Sequence, residues 1–220
     1  MKRKLIDRIL DLLYPPRCMI CACFLEPGTG AVCAGCLQTL PEHDGADPAV
    51  ADAAQCVATF FYEGAMRESI LRYKFENRPW YAAQYGAWMA ATVRDKLLGK
   101  FDLISWVPVS RERRRRRGYD QAELLARALA EALGAKPPIR ALEKHADNPA
   151  QSGLTDASQR VANVSGVYRA AEPKHFAGKR ILLIDDIVTT GATLSECARV
   201  LKAAGAAEVV CAALATPRET

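Results

Sequence analysis

Short apolar runs alternate with helically spaced apolar residues in the last part of this chain. Residues 181–184 are four consecutive apolar residues, a length typical of a strand that is buried on both faces, as in a parallel sheet. Residues 194–201 then carry apolar side chains at helical intervals, and residues 209–214 form another apolar run. This order of strand, helix and strand predicts an α/β fold that is built on a parallel sheet.

The same patterns predict further elements upstream. Strands are expected at 56–62, 102–109 and 164–168, and helices at 5–13, 65–75, 80–98 and 119–133. The first of these helices is amphipathic and is stopped by Pro15-Pro16. The five arginines at 113–117 predict a loop, and the proline-containing stretch 136–153 predicts irregular structure.

A cysteine motif precedes these elements. Two CxxC pairs, Cys18 with Cys21 and Cys33 with Cys36, are typical of a tetrahedral zinc site. Because four thiolates would leave no open position on the metal, we expect the Zn²⁺ to be structural. Cys23 has no partner in this pattern, although it could replace Cys21. The remaining cysteines lie in apolar patterns and are expected to be buried: Cys56, Cys197 and Cys211.

Composition and charge are those of a globular protein. The 220 residues are 50% hydrophobic and 25% charged, with a formal net charge of +5 that suits anionic ligands without identifying one. Acidic residues interrupt the apolar part of the N-terminus, which argues against a secretory signal, and no apolar run is long enough to span a membrane. We therefore expect a cytoplasmic protein, in a reducing environment that disfavours disulfides.

The polar segment 41–54 contains proline and glycine and indicates a domain boundary. We predict two domains: residues 1–45 form an N-terminal helix and zinc ribbon, and residues 55–220 form the α/β domain.

The most informative chemistry follows the apolar run at 181–184. Asp185 and Asp186 come first, and the loop Thr189-Thr190-Gly191-Ala192-Thr193 then leads into a helix. Backbone N–H groups at a helix N-terminus can hold a phosphate, and the threonine hydroxyls add donors. The carboxylates can accept hydrogen bonds from sugar hydroxyls and help to hold a divalent cation. Phosphate, diol and metal together indicate a ribose 5-phosphate ligand.

Two other structures share parts of this pattern. One is a buried strand that ends in solvated aspartates and a helix cap, but the complete string of residues is uncommon for that role. The other is a receiver domain, in which a strand also ends in an acidic pair. Too few residues follow Asp186 to supply the further strand–helix units that a receiver domain needs.

Three neighbouring features are candidates for the same site. Lys74, between two aromatic residues, could reach a phosphate, although a surface lysine is the simpler reading. The turn at Val107-Pro108 ends a strand and should face the acidic loop. Arg117 and its neighbours could form a solvated loop, a nucleic-acid patch, or a mobile loop that closes over pyrophosphate. The histidines are expected at the surface: His43, His145 and His175.

The acidic stretch resembles the 5-phosphoribosyl-1-pyrophosphate (PRPP) motif of type I phosphoribosyltransferases, an apolar strand followed by DDxxTTGxT. The whole chain resembles the ComF-like family, in which a double zinc ribbon precedes such a domain. This resemblance rests on the two CxxC pairs, the PRPP loop, Val107-Pro108-Val109, the segment 117–121, and Gln151 with Arg160 and Asn163. Two positions depart from the family pattern: Tyr119-Asp120 replaces Phe-Asn, and Phe75 replaces Tyr.

The resemblance implies a parallel-sheet phosphoribosyltransferase-like domain with a small zinc-ribbon module, and PRPP binding with Mg²⁺. The implied PRPP-binding residues are Asp185, Asp186, Thr189, Thr190, Gly191, Ala192, Thr193, Val107, Pro108 and Lys74. The implied catalytic residues are Asp185, Asp186 and Arg117, which would transfer ribose 5-phosphate to an acceptor that the sequence leaves open. The family is linked to natural transformation and to the handling of single-stranded DNA.

Two alternative functions remain open. In the first, the protein is a non-enzymatic DNA-handling module that uses its arginines and zinc ribbon to bind single-stranded DNA and works with DNA-uptake proteins. The apparent lack of an aromatic stacking surface near the arginines weighs against it. In the second, the protein is a PRPP-sensing regulator, but no DNA-reading helix-turn-helix is evident.

Overall fold

The central sheet consists of four parallel strands. The computed structural model describes residues 15–26, 28–145 and 166–218. The strands are, in chain order, β1 (Gln55–Phe61), β2 (Leu103–Trp106), β3 (Leu142–Lys144), β4 (Tyr168–Ala170), β5 (Arg180–Ile187) and β6 (Glu208–Thr216). The central sheet has the order β1-β6-β5-β2, and β3 pairs with β4 in a separate antiparallel ribbon. The predicted α/β class with a parallel sheet is confirmed.

Helices cover both faces of this sheet. They are α1 (Ala34–Gln38), α2 (Gly64–Phe75), α3 (Tyr81–Lys96), α4 (Arg111–Arg117), α5 (Gln121–Leu133) and α6 (Ala192–Ala203), with a 3₁₀ turn at Pro173–His175. Among the helices of the described residues, none combines the length and apolar character needed to cross a membrane.

The apolar run in β5 is continuous because its side chains enter two separate cores. Leu182 and Ile184 point into a core that is shared with α2, α3 and α5. Ile181 and Leu183 point into a second core, with α6 and the β3–β4 ribbon. Successive residues of a strand face opposite sides, so a strand covered on both sides needs apolar residues throughout. These two layers hold β5 rigidly in the middle of the fold.

The cysteine-containing segment packs against α2. Met19 and Ile20 are buried and belong to the same core as α2, α3 and α5. Their carbonyl oxygens accept hydrogen bonds from the Arg72 guanidinium at 3.0 and 2.7 Å, and Ser69 donates to the Met19 carbonyl. The N-terminal module therefore shares a core with the α/β part of the chain. The domain limits at 45 and 55 stay a prediction.

The predicted loop at 113–117 was wrong, because these arginines form helix α4. The Ser110 hydroxyl caps its first turn by accepting from the Arg113 N–H at 3.2 Å. Gly118, with φ of +83°, ends the helix, and its N–H donates to the Arg114 carbonyl at 2.8 Å. Arginine is a good helix former, and the two caps allow a short, highly charged segment to become helical.

Several element boundaries also differ from the predictions. Strand β2 ends at Trp106 rather than at 109, since Pro108 has no N–H to continue the ladder. Strand β5 continues through the acidic pair, which the pattern had placed after the strand. The stretch 136–153, predicted to be irregular, contains β3. Of the strand predicted at 164–168, residues 164 and 165 lie outside the described part, and only Tyr168 of the rest is in a strand, as the first residue of β4. The helix predicted from 119 begins at Gln121, because the Asp120 carboxylate caps it by accepting from the Glu123 N–H at 3.2 Å.

Some predictions fall on residues outside those that the structure describes. They are the amphipathic helix at 5–13 and the three polar residues Gln151, Arg160 and Asn163. The buried positions expected for Cys56, Cys197 and Cys211 are confirmed.

Candidate functional site

The acidic pair lies at the carboxyl end of β5, between β2 and β6. The backbone N–H of Asp186 donates to the Asp185 carboxylate at 2.8 Å, which orients the Asp185 side chain. Lys74, near the end of α2, places its ammonium 2.9 Å from an Asp186 oxygen. Only 15% of each of these two side chains is exposed, so the reading of Lys74 as an ordinary surface lysine was wrong. The fold thus places one positively charged side chain, Lys74, beside the two carboxylates.

The two carboxylates carry an unfavourable electrostatic arrangement. Burial raises the pKa of Asp185 to about 8, and the negative charge of Asp186 acts in the same direction. The Lys74 ammonium opposes this rise only in part. Carboxylate oxygens are the ligands that Mg²⁺ prefers, and a divalent cation here would relieve the repulsion. The pair therefore fits a cation that is bound together with a ligand.

The loop after β5 leads directly into the N-terminus of α6. Thr189 and Thr190 are exposed, and Gly191 takes a left-handed backbone conformation with φ of +72° just before the helix. Among the described residues, no side chain caps the N-terminus of α6 with a hydrogen bond. Its first N–H groups, on Ala192 and Thr193, are therefore available to an anion, which the helix dipole also favours.

Gly191 is also required by its surroundings. A Cβ atom at this position would lie 2.7 Å from the Ala49 carbonyl oxygen and 3.2 Å from a methyl group of Val50. The polar segment 41–54, which was predicted as a connection and domain boundary, therefore packs against the loop after β5. Residues from this segment form one wall of a cavity beside the loop.

The predicted turn after β2 does lie beside the acidic pair. The Val107 N–H donates to the Ile184 carbonyl at 2.9 Å, one residue before Asp185. Val107 and Pro108 are both buried, so the turn is fixed against β5. The Val109 N–H donates to the Asp120 carboxylate at 3.0 Å, which connects the turn to the start of α5.

Arg117 is the arginine of α4 that returns towards the site. Its guanidinium lies 4.8 Å from the centre of the Phe75 ring, and it donates to the Gln121 side chain at 2.9 Å. Burial lowers the pKa of Arg117, while the charge of Asp186 acts to raise it. Arg117 and Lys74 thus both lie near the end of α2, and both interact with the charge of Asp186.

Two tyrosines that were not predicted to be functional connect the end of α2 to the segment between α4 and α5. The Tyr119 hydroxyl donates to the Tyr73 carbonyl, and the Tyr73 hydroxyl donates to the Gln121 carbonyl at 2.9 Å. Tyr73 is fully buried. These bonds fix the end of α2, and hence Lys74, relative to the corner between α4 and α5. The sequence analysis identified the segment 117–121 as part of a family motif. It did not predict that this segment holds the end of α2 in place.

The surroundings of the site also contain exposed aromatic residues, contrary to the sequence-based expectation. Phe75 and Trp80 are each 59% exposed. An arginine lies over each ring, Arg117 over Phe75 at 4.8 Å and Arg78 over Trp80 at 5.2 Å. An aromatic surface therefore does lie next to the arginine helix.

The four predicted zinc ligands come together. The sulfur atoms of Cys18, Cys21, Cys33 and Cys36 all lie within 4.8 Å of one another. In a tetrahedral zinc–thiolate site, sulfur atoms are separated by about 3.8 Å, and Cys21 and Cys33 are 3.8 Å apart. The Cys36 N–H donates to the Cys33 sulfur and lowers the pKa of that thiol. Cys23 lies outside this set of four, and the cluster supports the predicted structural zinc.

Of the histidines, His145 and His175 are exposed as expected, but His43 is half-buried. Its ring packs at 4.8 Å from that of Phe61, because the polar segment folds back over the end of β1. The surface position predicted for His43 was therefore wrong.

Comparison with known families agrees with this division of the chain. Residues 116–220 match the phosphoribosyl transferase domain, and residues 9–48 match the double zinc ribbon domain. The protein is thus a phosphoribosyl transferase-type α/β protein with a zinc ribbon. With its competence-protein relatives, this pair of domains identifies the chain as a member of the ComF-like family, as its motifs predicted.

Three curated relatives illustrate the similarity. Competence protein F of Haemophilus influenzae is 29% identical over 80% of this chain and 75% of its own length. Competence protein ComFC of Streptococcus pneumoniae is 30% identical over 69% of this chain and 64% of its own. DNA utilization protein YhgH of Escherichia coli K12 is 33% identical over 49% of this chain, and the match spans 46% of YhgH, about half of its length.

Among solved structures, the glutamine PRPP amidotransferase of B. subtilis has a TM-score of 0.44 and 18% identity. The match covers 78% of this chain and 32% of that one.

Proposed function

We propose that this protein binds PRPP together with Mg²⁺ and acts as a phosphoribosyltransferase. The observation that carries the proposal is the position of the Asp185–Asp186 pair, at the carboxyl end of a central parallel strand and directly before an uncapped helix N-terminus. In open α/β sheets this edge is where ligands bind. The carboxylates would hold the ribose hydroxyls and Mg²⁺, and residues 189–193 would hold the 5-phosphate.

The cations near the pair suit the other end of the ligand. Lys74 and Arg117 both interact with the charge of Asp186, and the β2 turn at Val107-Pro108 is bonded to β5 one residue before Asp185. In this proposal the pyrophosphate group would bind to the ammonium, the guanidinium and the backbone of the turn. When Mg²⁺ is bound, it supplies additional positive charge to the pyrophosphate oxygens.

Catalysis in this proposal depends on positioning and on charge. Displacement of pyrophosphate from the ribose C1 passes through a state with oxocarbenium character, and the carboxylates of Asp185 and Asp186 would stabilise that positive charge. Arg117 and Lys74 would stabilise the negative charge of the departing pyrophosphate. A nucleophilic side chain is not required, since the acceptor itself attacks C1. The relatives are competence and DNA utilization proteins, which extends the proposal to a role in natural transformation.

Thermal melting in the presence of PRPP and Mg²⁺ tests the ligand. At 100 times its dissociation constant a ligand stabilises the folded state by about 2.7 kcal/mol, so the melting temperature should rise by several degrees. Gly191→Ala should remove this rise, because its Cβ would meet the Ala49 carbonyl at 2.7 Å. Gly178→Ala is the matched control: φ is +71° there and nothing lies within 4 Å, so its ligand-dependent rise should persist. An equal rise in Gly191→Ala would contradict the proposed phosphate loop.

A second candidate function is the binding of single-stranded DNA beside this site. The specific observation is the pair of exposed rings, Phe75 and Trp80, each with an arginine over it; the arginine over Phe75 is Arg117 of helix α4. Bases stack on such rings, and arginines hold the phosphate backbone. This candidate is compatible with PRPP binding, because Phe75 directly follows Lys74.

Binding of an oligothymidine of about 20 nucleotides tests this candidate. Affinity should fall steeply between 50 and 200 mM salt, because the binding of arginines to phosphates releases counterions. Phe75→Ala/Trp80→Ala should weaken binding on the order of tenfold for each lost stacking contact. Leu98→Ala is the control, since Leu98 is 69% exposed and follows the carboxyl end of α3, whereas Trp80 precedes the start of that helix. Affinity that is insensitive to salt and to both ring substitutions would exclude this candidate.

A further inference from the structure

We propose that Arg72 is a positioning residue of the proposed PRPP site. It attaches the last turn of α2 to the first zinc-binding CxxC pair, and it thereby directs Lys74 towards Asp186. This inference rests on the proposed function and adds to it a part for the zinc module, which holds a side chain of the site in place. Arg72 does not touch the ligand; it acts on the site through Lys74.

The last turn of α2 lies between the zinc module and the acidic pair. Arg72 and Lys74 are two residues apart in this turn, so their side chains leave the helix about 200° apart around its axis, on nearly opposite sides. The Arg72 guanidinium donates to the carbonyl oxygens of Met19 and Ile20, at 3.0 and 2.7 Å. The Lys74 ammonium lies 2.9 Å from an Asp186 oxygen. A single turn of helix therefore connects the zinc module to the acidic pair.

The two carbonyl groups that bind Arg72 belong to the zinc-binding segment. Met19 and Ile20 lie between Cys18 and Cys21, two of the four thiols that fit a zinc ion. The Ile20 N–H donates to the Cys18 sulfur at 3.4 Å, so Ile20 contacts both a zinc-binding thiol and Arg72. A zinc ion on these thiols would fix the conformation of the segment. The two carbonyls would then offer the guanidinium a rigid pair of acceptors.

Arg72 adds an attachment on a second side of this turn. The tyrosine bonds hold the turn at one residue, Tyr73, whose hydroxyl donates to the Gln121 carbonyl and whose carbonyl accepts from Tyr119. Bonds that meet at one residue restrict the rotation of a turn less than bonds on two of its sides do. Because Arg72 is bonded on the side of the zinc module, it restricts the rotation that would carry Lys74 away from the acidic pair.

A contribution to stability does not by itself explain Arg72. Its Nε is buried and has no hydrogen-bond partner among the described residues, and an unpaired buried donor lowers the free energy of unfolding. Arg72→Met would keep most of the apolar length of the side chain, and the Met19 carbonyl would keep its bond from Ser69. We therefore expect this variant to fold and to keep its zinc, so that positioning and stability can be measured separately.

A double-variant comparison tests whether Arg72 acts through Lys74. The affinity for PRPP with Mg²⁺ is measured by calorimetry on the full zinc-loaded chain, for the parent, Arg72→Met, Lys74→Met and the double variant. In the parent background, Arg72→Met should weaken binding on the order of tenfold. In the Lys74→Met background it should weaken binding less than about twofold, because the group that it positions is then absent.

Two further variants complete this comparison. Arg72→Lys keeps a positive donor but loses the planar fork that reaches both carbonyls, so its affinity should lie between those of Arg72→Met and the parent. Arg67→Met is the matched control, since Arg67 is an exposed arginine of the same helix that pairs with Glu68. This control should bind PRPP as the parent does. Metal content, measured by mass spectrometry, should be the same in every variant.

A second measurement requires no ligand. Limited acetylation with acetic anhydride, followed by peptide mass spectrometry, reports how well Lys74 is held in its ion pair. Only 15% of this side chain is exposed and its ammonium is paired, so it should react slowly in the parent. In Arg72→Met it should react at least about threefold faster. Lys202, an exposed lysine of α6, is the internal reference and should react equally in both proteins.

The inference is overturned if zinc-loaded Arg72→Met leaves either the PRPP affinity or the acetylation rate of Lys74 unchanged. It is also overturned if the effects of the two substitutions on affinity multiply in the double variant. If Arg72→Met loses its zinc, Arg72→Lys decides, and equality of that variant with the parent in both measurements overturns the inference. If the parent binds no PRPP, the proposed function is refuted, whereas acetylation still decides whether Arg72 positions Lys74.

Discussion

Replacement of Cys33 by serine is expected to release zinc and to unfold the segment that contains the four thiols. Structural zinc sites supply on the order of 10 kcal/mol or more of folding free energy. This segment has few other buried residues; those within the described part are Cys18, Met19, Ile20, Leu25 and Val32. Met19 and Ile20 also bond to Ser69 and Arg72 of α2, so the melting temperature of the whole protein should fall by about 10 °C.

Metal content by mass spectrometry and thermal melting would measure both effects. The matched control is Cys23→Ser, because Cys23 is exposed and lies outside the cluster of four. That variant should keep one zinc ion per chain and melt with the parent. Retention of zinc by Cys33→Ser, or its loss from Cys23→Ser, would show that the ligand set differs from the one assigned here.

Asp185→Asn is expected to stabilise the ligand-free protein while it abolishes PRPP binding. The pKa of Asp185 is raised to about 8 in the folded state, first by burial and then by the charge of Asp186. A raised pKa means that the unfolded chain loses the proton at lower pH than the folded protein does. The parent therefore loses stability as pH rises from about 4 to about 8. The neutral asparagine avoids this loss and still accepts the Asp186 N–H.

Urea denaturation at pH 5, 7 and 9 would measure this gain. The variant's advantage should be small at pH 5 and should increase up to pH 8, with an upper limit of about 1.4 kcal/mol for each pH unit. The experiment is done without added Mg²⁺ and without a chelator, which would remove zinc. An advantage that is absent or that shrinks as pH rises would contradict the electrostatic account of the pair.

Asp102→Asn is a control for which the opposite change in the free energy of unfolding is expected. Arg180 lowers the pKa of Asp102 to about 2 through hydrogen bonds from its side chain and backbone. This carboxylate therefore stabilises the folded state above about pH 4, and the contribution is lost as pH falls towards 2. The variant should be less stable than the parent at pH 7, in contrast to Asp185→Asn.

The sequence was sufficient for the centre of the site because the chemistry there is local. An apolar run, an acidic pair and a small hydroxyl-rich loop are contiguous, and together they specify a strand end, a loop and a helix start; the ligand stays a prediction. The two CxxC pairs are likewise local. Each motif requires both a particular backbone conformation and particular side-chain types, so few other structures are compatible with it.

The sequence was insufficient where the site depends on contacts between distant segments. The ion pair between Lys74 and Asp186 needs the end of α2 to lie over β5, which no periodicity encodes. The packing of segment 41–54 on Gly191 is similar, since polar composition predicted only a connection. Helix α4 was missed for a different reason: five successive charges suggest a loop, and the signals that favour a helix were the single caps at Ser110 and Gly118.

Calorimetric titration of PRPP with Mg²⁺ into the folded, zinc-loaded protein tests the central claim most directly. The parent should bind one PRPP per chain, and an Asp185→Asn/Asp186→Asn variant should lose at least 100-fold in affinity while it remains folded. Asp95→Asn, an exposed aspartate of α3, should bind as the parent does. If the folded parent shows no binding, or the double variant binds equally well, the acidic pair is not a PRPP site.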